Sequence, residues 1–208
     1  MLNQIKSFNS IYFLIRLIIS FTLSTSIGFT VLAQDTVTKI NLSSQEQTAL
    51  NQGKVILKGN KGDYQGQVIA PGNLGQAWEV LTDYNNFQNF LPNIAKSKII
   101  VNQGDRKIFE QVNVVDLWLF TEEFTVQIEA KETKPQIVKF RQFQGDLKSL
   151  IGTWQIEQLN EHQILVTHTV KVEPGSNTEK PFFYGIYESS LEETLKAIAK
   201  EISKRSQL

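Results

Sequence analysis

The feature that most constrains the fold is a run of six stretches in which β-branched, aliphatic and aromatic residues alternate with polar ones. These stretches cover residues 96–102, 106–115, 119–131, 136–144, 152–159 and 163–173. Compact turn signals separate several of them, such as Asn102-Gln103-Gly104-Asp105 and Lys134-Pro135. Because strands joined by short turns pair antiparallel, the sequence predicts an antiparallel meander.

The chain ends in a predicted amphipathic helix that is long enough to cover such a sheet. It runs from about Phe182 to Lys204, after a proline, and apolar residues recur in it every three to four positions. Those positions are Phe183, Ile186, Tyr187, Leu191, Leu195, Ile198 and Ile202. Since an apolar stripe on a helix has to be buried against another element, we expect an α+β fold in which the sheet packs round this helix.

Two short helical segments are expected before the six strands. Residues 54–70 predict a strand pair or one long bulged strand, and Asn73 or Gly72 stands where it can cap a helix over 74–81. A tighter helical turn over 83–92 ends at a proline, which cannot continue a helix. The predicted order is therefore an initial β segment, two short helices, six strands and the long helix.

The N-terminal segment has the signature of a secretory signal peptide, with basic residues and no acids before an uncharged apolar run. We expect cleavage after Ala33, which makes residues 1–33 a signal peptide, 34–53 a polar lead-in and 54–205 the folded domain. The alternative is an uncleaved membrane anchor that starts near Ile11. Either arrangement places the rest of the chain outside the cytoplasm, in a periplasm, a lumen or the extracellular space.

The composition excludes several classes of function. The chain has no cysteine, so thiol chemistry and cysteine-ligated zinc are ruled out, and its two histidines are too few for a multi-histidine metal site. Acidic and basic residues balance at 21 each, which gives no basic surplus to attract nucleic acid. We therefore expect no metal, no cofactor and no nucleic-acid partner, and we expect a monomer.

One local motif carries a resemblance to a known superfamily. The segment AWEVLTDY at residues 77–84 is followed by Phe87 and by FLP at 90–92, and Gly152-Thr153-Trp154 opens a late strand. With the amphipathic C-terminal helix, these residues resemble the START-like superfamily over about 64–200. They are most similar to its polyketide cyclase/dehydrase and coenzyme Q-binding branch.

This resemblance implies the helix-grip (START-like, Bet v 1-like) fold, in which a curved antiparallel sheet and the long C-terminal helix enclose a cavity. Members of the superfamily include lipid carriers, quinone binders, aromatase/cyclases and plant hormone-binding proteins, so fold alone does not give the ligand. Period-2 alternation gives each strand an apolar face, which we place towards the cavity. The inward residues are then Ile108, Val112, Val114, Phe124, Val126, Ile128, Val138, Phe140, Trp154, Ile156, Ile164, Val166 and Val170.

Three polar residues interrupt those inward faces, namely Glu110, Gln142 and His168. Burying them without partners is costly, so they face a ligand, water or another polar group. The functional interpretation is that they orient a mostly apolar ligand. The structural alternatives are a bulge that turns them to solvent, or a contact in which Glu110 and His168 satisfy each other.

Aromatic residues form a second candidate set. Trp118 and Phe120 lie in an apolar connection between two strands, and Phe183 and Tyr187 stand near the start of the last helix. Elements at these places border the cavity mouth in the fold that the resemblance implies. The connection is then a lid, a tip that transiently contacts a membrane surface, or a loop packed on the core.

The main hypothesis is that the protein binds or carries a hydrophobic small molecule, such as a lipid, an isoprenoid quinone or a polyketide-like compound. The candidate ligand-binding residues are Glu110, Val112, Trp118, Phe120, Phe124, Val126, Phe140, Gln142, Trp154, His168, Phe183 and Tyr187. The alternative is a cyclase/dehydratase-type enzyme with Glu110 and His168 as acid and base. A third hypothesis, an interaction domain without a ligand, predicts an interior filled by side chains.

Overall fold

The computed structural model describes residues 41–117, 120–176 and 179–207, without the side chains of 115–122. The helices are α1 (Ser44–Asn51), α2 (Leu74–Leu81), a 3-10 turn (Phe87–Asn89) and α3 (Lys180–Arg205). The strands are β1 (Ile56–Asn60), β2 (Asp63–Pro71), β3 (Ile94–Gln103), β4 (Arg106–Leu117), β5 (Phe120–Thr133), β6 (Ile137–Gly145), β7 (Ser149–Asn160) and β8 (Gln163–Glu173). In the described ranges, no helix has the length and apolar character needed to cross a membrane.

All eight strands form one antiparallel sheet in the order β1-β2-β8-β7-β6-β5-β4-β3. The ends β1 and β3 are not paired to each other, so the sheet stays open. Register shifts interrupt the β3–β4, β5–β6 and β7–β8 pairings, and such bulges increase the local bend and twist of a sheet. The sheet curves round α3, which confirms the predicted helix-grip fold.

Helix α2 begins where its capping residue predicts. The Asn73 side chain accepts a hydrogen bond from the Gln76 amide while Gln76 reaches back to the Asn73 amide, a complete capping box. Helix α3 begins at Lys180, slightly earlier than predicted, with Pro181 in its first turn, where the missing amide proton costs nothing. The polar lead-in also contains a capped helix, α1, which buries Leu50.

Helix α3 packs its apolar stripe closely against the sheet. Leu191, Leu195, Ile198 and Ile202 are all buried. The approach is tightest at Gly66 of β2, where a Cβ atom would lie 2.4 Å from a methyl carbon of Leu195. Glycine at this position therefore lets the helix lie directly on the strand.

The family-like segment at 77–92 ties the C-terminal end of α3 to the sheet. Asp83 forms an ion pair with Arg205 at 2.7 Å, and the Arg205 guanidinium also lies over the Phe90 ring at 5.7 Å. Tyr84 stacks on Phe109 of β4 at 4.5 Å and meets Phe87 edge to face. These contacts give the segment a structural role, which is to seat α2 and the 3-10 turn.

Candidate functional site

A cavity of about 190 Å³ lies between the inner face of the sheet and α3, and it is only partly enclosed. Residues of α2, the 3-10 turn, strands β3 to β8 and α3 all contribute to its wall. Most of the wall is apolar. The polar residues that line it are Tyr84, Gln111, Asn113, His168, Tyr187, Ser190 and Thr194.

His168 is deeply buried, with 3 % of its surface exposed. It lies on β8 opposite Trp154 of β7, and the two rings stack at 3.7 Å. Phe140 stacks on the imidazole at 5.6 Å. His168 thus belongs to an aromatic wall formed by β6, β7 and β8.

Burial keeps the His168 imidazole uncharged at neutral pH. Desolvation of the ring lowers its pKa to about 3, although a hydrogen bond to the backbone of Thr153 acts in the opposite direction. Within the described residues, Nδ1 is buried without a hydrogen-bond partner. His168 therefore presents a neutral ring with an unpaired nitrogen.

Gln111 and Asn113 form a second polar group on the inner face of β4, which the sequence did not predict. Gln111 lies opposite Val126 and Asn113 opposite Phe124, both of which line the cavity. Gln111 is 8 % exposed, and Nδ2 of Asn113 is buried with no partner in the described part of the chain. Both amide side chains therefore belong to the cavity wall.

The signal that could have located Gln111 and Asn113 is the pairing of β4 with β5. Apolar side chains alternate at even positions of β4, which suggested that Ile108 and Val112 point inwards. Leu117 pairs with Phe120, so only two residues join the strands, and this short connection carries the inward register of β5 onto the odd positions of β4. The sequence alone predicts a longer connection here, and it therefore predicts the wrong inward face for β4.

The predicted places of Glu110 and Val112 in the cavity are therefore wrong. Both lie on the outer face of β4, and Glu110 accepts a hydrogen bond of 3.1 Å from the Gln127 side chain of β5. Glu110 and His168 lie on opposite faces of the sheet, so they cannot act on one substrate as an acid–base pair. Ile108 and Val114 are also outward, although Ile108 is buried.

Gln142 does not line the cavity either. Its amide nitrogen donates a 2.8 Å hydrogen bond to the carbonyl oxygen of Leu147, and its Oε1 is buried without a partner among the described residues. This contact closes the turn between β6 and β7. Gln142 therefore stabilises the edge of the site and is not part of its wall.

The other candidates divide into three groups. Phe124, Val126, Phe140, Trp154, His168 and Tyr187 line the cavity. Phe183 lies one turn from Tyr187, stacks on it at 5.7 Å, and packs against the core. Trp118 lies outside the described residues, as does the side chain of Phe120.

Helix α3 supplies the remaining side of the cavity. Tyr187 stacks on Tyr64 of β2 at 6.0 Å, and burial raises the pKa of its hydroxyl, which stays protonated. Ser190 Oγ accepts a 3.2 Å hydrogen bond from Asn93, the residue before β3. The hydrogen bond fixes α3 against the start of β3, whose first residue, Ile94, pairs with Asn113.

The described part of the wall is uncharged. Among the described residues that line the cavity there is no Asp, Glu, Lys or Arg. An ion pair between Lys107 and Glu132, at 3.9 Å, lies on the same face of β4 and β5 beyond the cavity wall. The described residues also contain no cluster of three or more His, Cys, Asp or Glu that could hold a metal ion.

Solved structures with the same fold come from several bacteria. A STAR-related lipid transfer protein from Xanthomonas axonopodis matches with a TM-score of 0.60 at 15% identity, covering 71% of this chain and 92% of that one. The Zhui aromatase/cyclase from a Streptomyces species matches with a TM-score of 0.57 at 16% identity, covering 73% and 95%. A START superfamily protein from Mycobacterium smegmatis matches with a TM-score of 0.55 at 14% identity, covering 74% and 98%.

No curated protein matches the sequence. The family model described as polyketide cyclase/dehydrase and lipid transport matches residues 71–198. The match spans α2, the 3-10 turn, strands β3 to β8 and most of α3, which together form the cavity wall. The chain therefore belongs to the polyketide cyclase/dehydrase and lipid transport family.

Proposed function

We propose that this protein binds and carries a hydrophobic small molecule, such as a lipid, an isoprenoid quinone or a polyketide-like compound. The observation that carries the proposal is the cavity under α3, whose wall is mostly apolar and contains a few buried polar groups that have no partner among the described residues. Pockets for apolar ligands have this composition, since apolar contact gives affinity and a few polar atoms fix orientation. Lipid transport is also part of the family description.

The geometry favours binding over the cyclase/dehydratase alternative. That alternative required Glu110 and His168 within hydrogen-bonding reach of one substrate. The two side chains lie on opposite faces of the sheet, and burial lowers the His168 pKa far below neutral. The likeness to the Streptomyces aromatase/cyclase concerns the fold.

We also propose that the protein acts outside the cytoplasm. The support is the N-terminal sequence, in which basic residues precede an uncharged apolar run and Ala33. Expression in a bacterial host, followed by the intact mass of the protein, tests the proposal. A mature chain that begins at Gln34 and appears in the periplasmic fraction supports export, and a full-length cytoplasmic chain contradicts it.

Native mass spectrometry of the purified protein tests the binding function. We expect an adduct that denaturation releases and that an organic solvent extracts. The Val126→Phe variant places a ring in the cavity and should lose the adduct. The Gln127→Phe variant, one residue along β5 on the outer face, should keep it.

Circular dichroism has to show both variants folded before their adducts are compared. Absence of an adduct from the wild-type protein, together with failure to take up the neutral dye Nile red, contradicts the proposal. Equal adduct retention in both variants places the ligand elsewhere on the molecule.

A further inference from the structure

The geometry points to a specific ligand class: an uncharged, mostly apolar molecule with a hydrogen-bond-accepting oxygen, which Asn113 binds. This inference rests on the proposed binding function and adds to it the chemical property by which the cavity distinguishes one ligand from another. Three independent features of the wall support it.

The first feature is the unpaired amide of Asn113. Asn113 lines the cavity, and its Nδ2 is buried with no acceptor among the described residues. An amide nitrogen can only donate, so the missing partner is an acceptor such as a carbonyl, hydroxyl or ether oxygen. A buried donor without an acceptor is costly, and a ligand that supplies one removes that cost.

The second feature is the position of Gln111, two residues before Asn113 on the same strand face. Its side chain lines the cavity and is almost completely buried. A glutamine amide both donates and accepts, so it can add a second hydrogen bond to a carbonyl or complement a hydroxyl. Together, Gln111 and Asn113 form a neutral polar subsite opposite Val126 and Phe124.

The third feature is the absence of a charge that could balance an anion. The described lining residues include no basic side chain, and His168, the one ionisable nitrogen group among them, is held neutral by burial. Lys107, two residues beyond Phe109 on the inner face, is already paired with Glu132. A carboxylate or phosphate in the cavity would lose its hydration without gaining a counter-ion.

The aromatic wall makes room for the apolar body of such a ligand. Phe140 and Trp154 flank His168 on the sheet, and Leu191 and Ile198 of α3 line the opposite side. The described residues of this part of the cavity include no Asp, Glu, Lys or Arg, and burial keeps the His168 imidazole neutral. The structure therefore assigns the polar end of the ligand to β4 and its apolar body to β6, β7 and α3.

The test uses three naphthalene probes that differ in one group: 2-acetylnaphthalene, its apolar isostere 2-isopropenylnaphthalene, and 2-naphthoate. Their affinities are measured by displacement of Nile red from the delipidated protein at neutral pH. We expect the ketone to bind about 5-fold more tightly than the isostere, as one net hydrogen bond predicts. We expect the carboxylate to bind at least about 10-fold more weakly than the ketone.

The Asn113→Leu variant separates recognition from simple packing. It should bind the ketone and the isostere equally and should leave the affinity for the isostere at or above the wild-type value. Gln127→Leu is the matched control, since it also replaces an amide by leucine, on the outer face of the next strand. It should keep the wild-type preference.

Three results would overturn the inference. Tight binding of 2-naphthoate contradicts the selection for neutral ligands. A ketone preference that survives in folded Asn113→Leu assigns recognition to another residue. If Nile red and all three probes fail to bind, the proposed binding function fails as well, whereas binding of all three without discrimination leaves that function intact and refutes only the selectivity.

Discussion

The buried histidine gives the protein a stability that depends on pH in a specific direction. In the folded state burial lowers the His168 pKa to about 3, whereas an exposed histidine titrates near 6.5. Between these values the unfolded chain binds a proton at this residue and the folded chain does not. The free energy of unfolding therefore decreases as the pH falls from about 6.5 towards 3. Above about pH 6.5, His168 is neutral in both states and causes no loss of stability.

The magnitude follows from the width of the window. Each pH unit between the two pKa values changes the free energy of unfolding by about 1.4 kcal/mol. From pH 6.5 to 4.5 the His168 contribution is therefore about 2.7 kcal/mol, a large part of the net stability of a domain of this size. The pKa of Glu129 is lowered by hydrogen bonds from Arg106 and Arg141, so protonation of such carboxylates at lower pH further reduces the free energy of unfolding.

The assay compares urea unfolding of wild-type and His168→Leu proteins, followed by tryptophan fluorescence at about pH 7, 5.5 and 4.5. The variant places an apolar side chain at the site, and leucine cannot bind a proton. Between the highest and lowest pH, its free energy of unfolding should therefore fall by about 2.7 kcal/mol less than that of the wild-type protein. His162→Leu is the matched control, because His162 is exposed in the turn between β7 and β8 and has water around it in both states. Parallel losses in wild-type and His168→Leu proteins would refute the burial argument.

Three further predictions test the fold and the corrected register. Replacing Asp83 by Asn and Arg205 by Met, singly and together, should give a coupling energy of about 1 kcal/mol in a double-mutant cycle of urea unfolding, because the ion pair is only half-buried; additive losses would contradict a direct contact. Gly66→Ala should destabilise the fold by roughly 1–3 kcal/mol in thermal unfolding, since the new methyl group would overlap Leu195. Glu110→Gln should leave the Nile red affinity unchanged, because Glu110 lies on the outer face; a severalfold change would return Glu110 to the site.

The sequence was sufficient for the parts of the fold that repeat a local pattern. Leu191, Leu195 and Ile198 recur at helical spacing, and the structure buries all three against the sheet. His168 between Val166 and Val170 gave an unambiguous face, because both neighbours on that face are apolar and buried. Where alternation is clean and one face is dry, the register is strongly determined.

The β4 strand shows why the same method fails elsewhere. Ile108, Phe109 and Val112 place apolar side chains on both faces, so periodicity alone cannot say which face is inside. The decision comes from pairing across strands, which depends on how many residues connect β4 to β5 and is therefore not a local property. For this reason periodicity predicts the outward Glu110 as a cavity residue and does not predict Gln111 and Asn113, which line the cavity.

The segment at 77–92, on which the resemblance in the sequence mainly rests, and the two amides of the polar subsite are thus different parts of the chain. Asp83 and Phe90 of the family-like segment contact Arg205, and Tyr84 of the same segment packs on Phe109. These contacts hold α2 and α3 against the sheet whatever the ligand. Gln111 and Asn113 of β4 take no part in these contacts, so replacing them should change the cavity wall and leave this packing in place. A family resemblance based on residues 77–92 therefore predicts the architecture well and the ligand poorly. The ligand specificity of this chain has to be tested at Gln111 and Asn113.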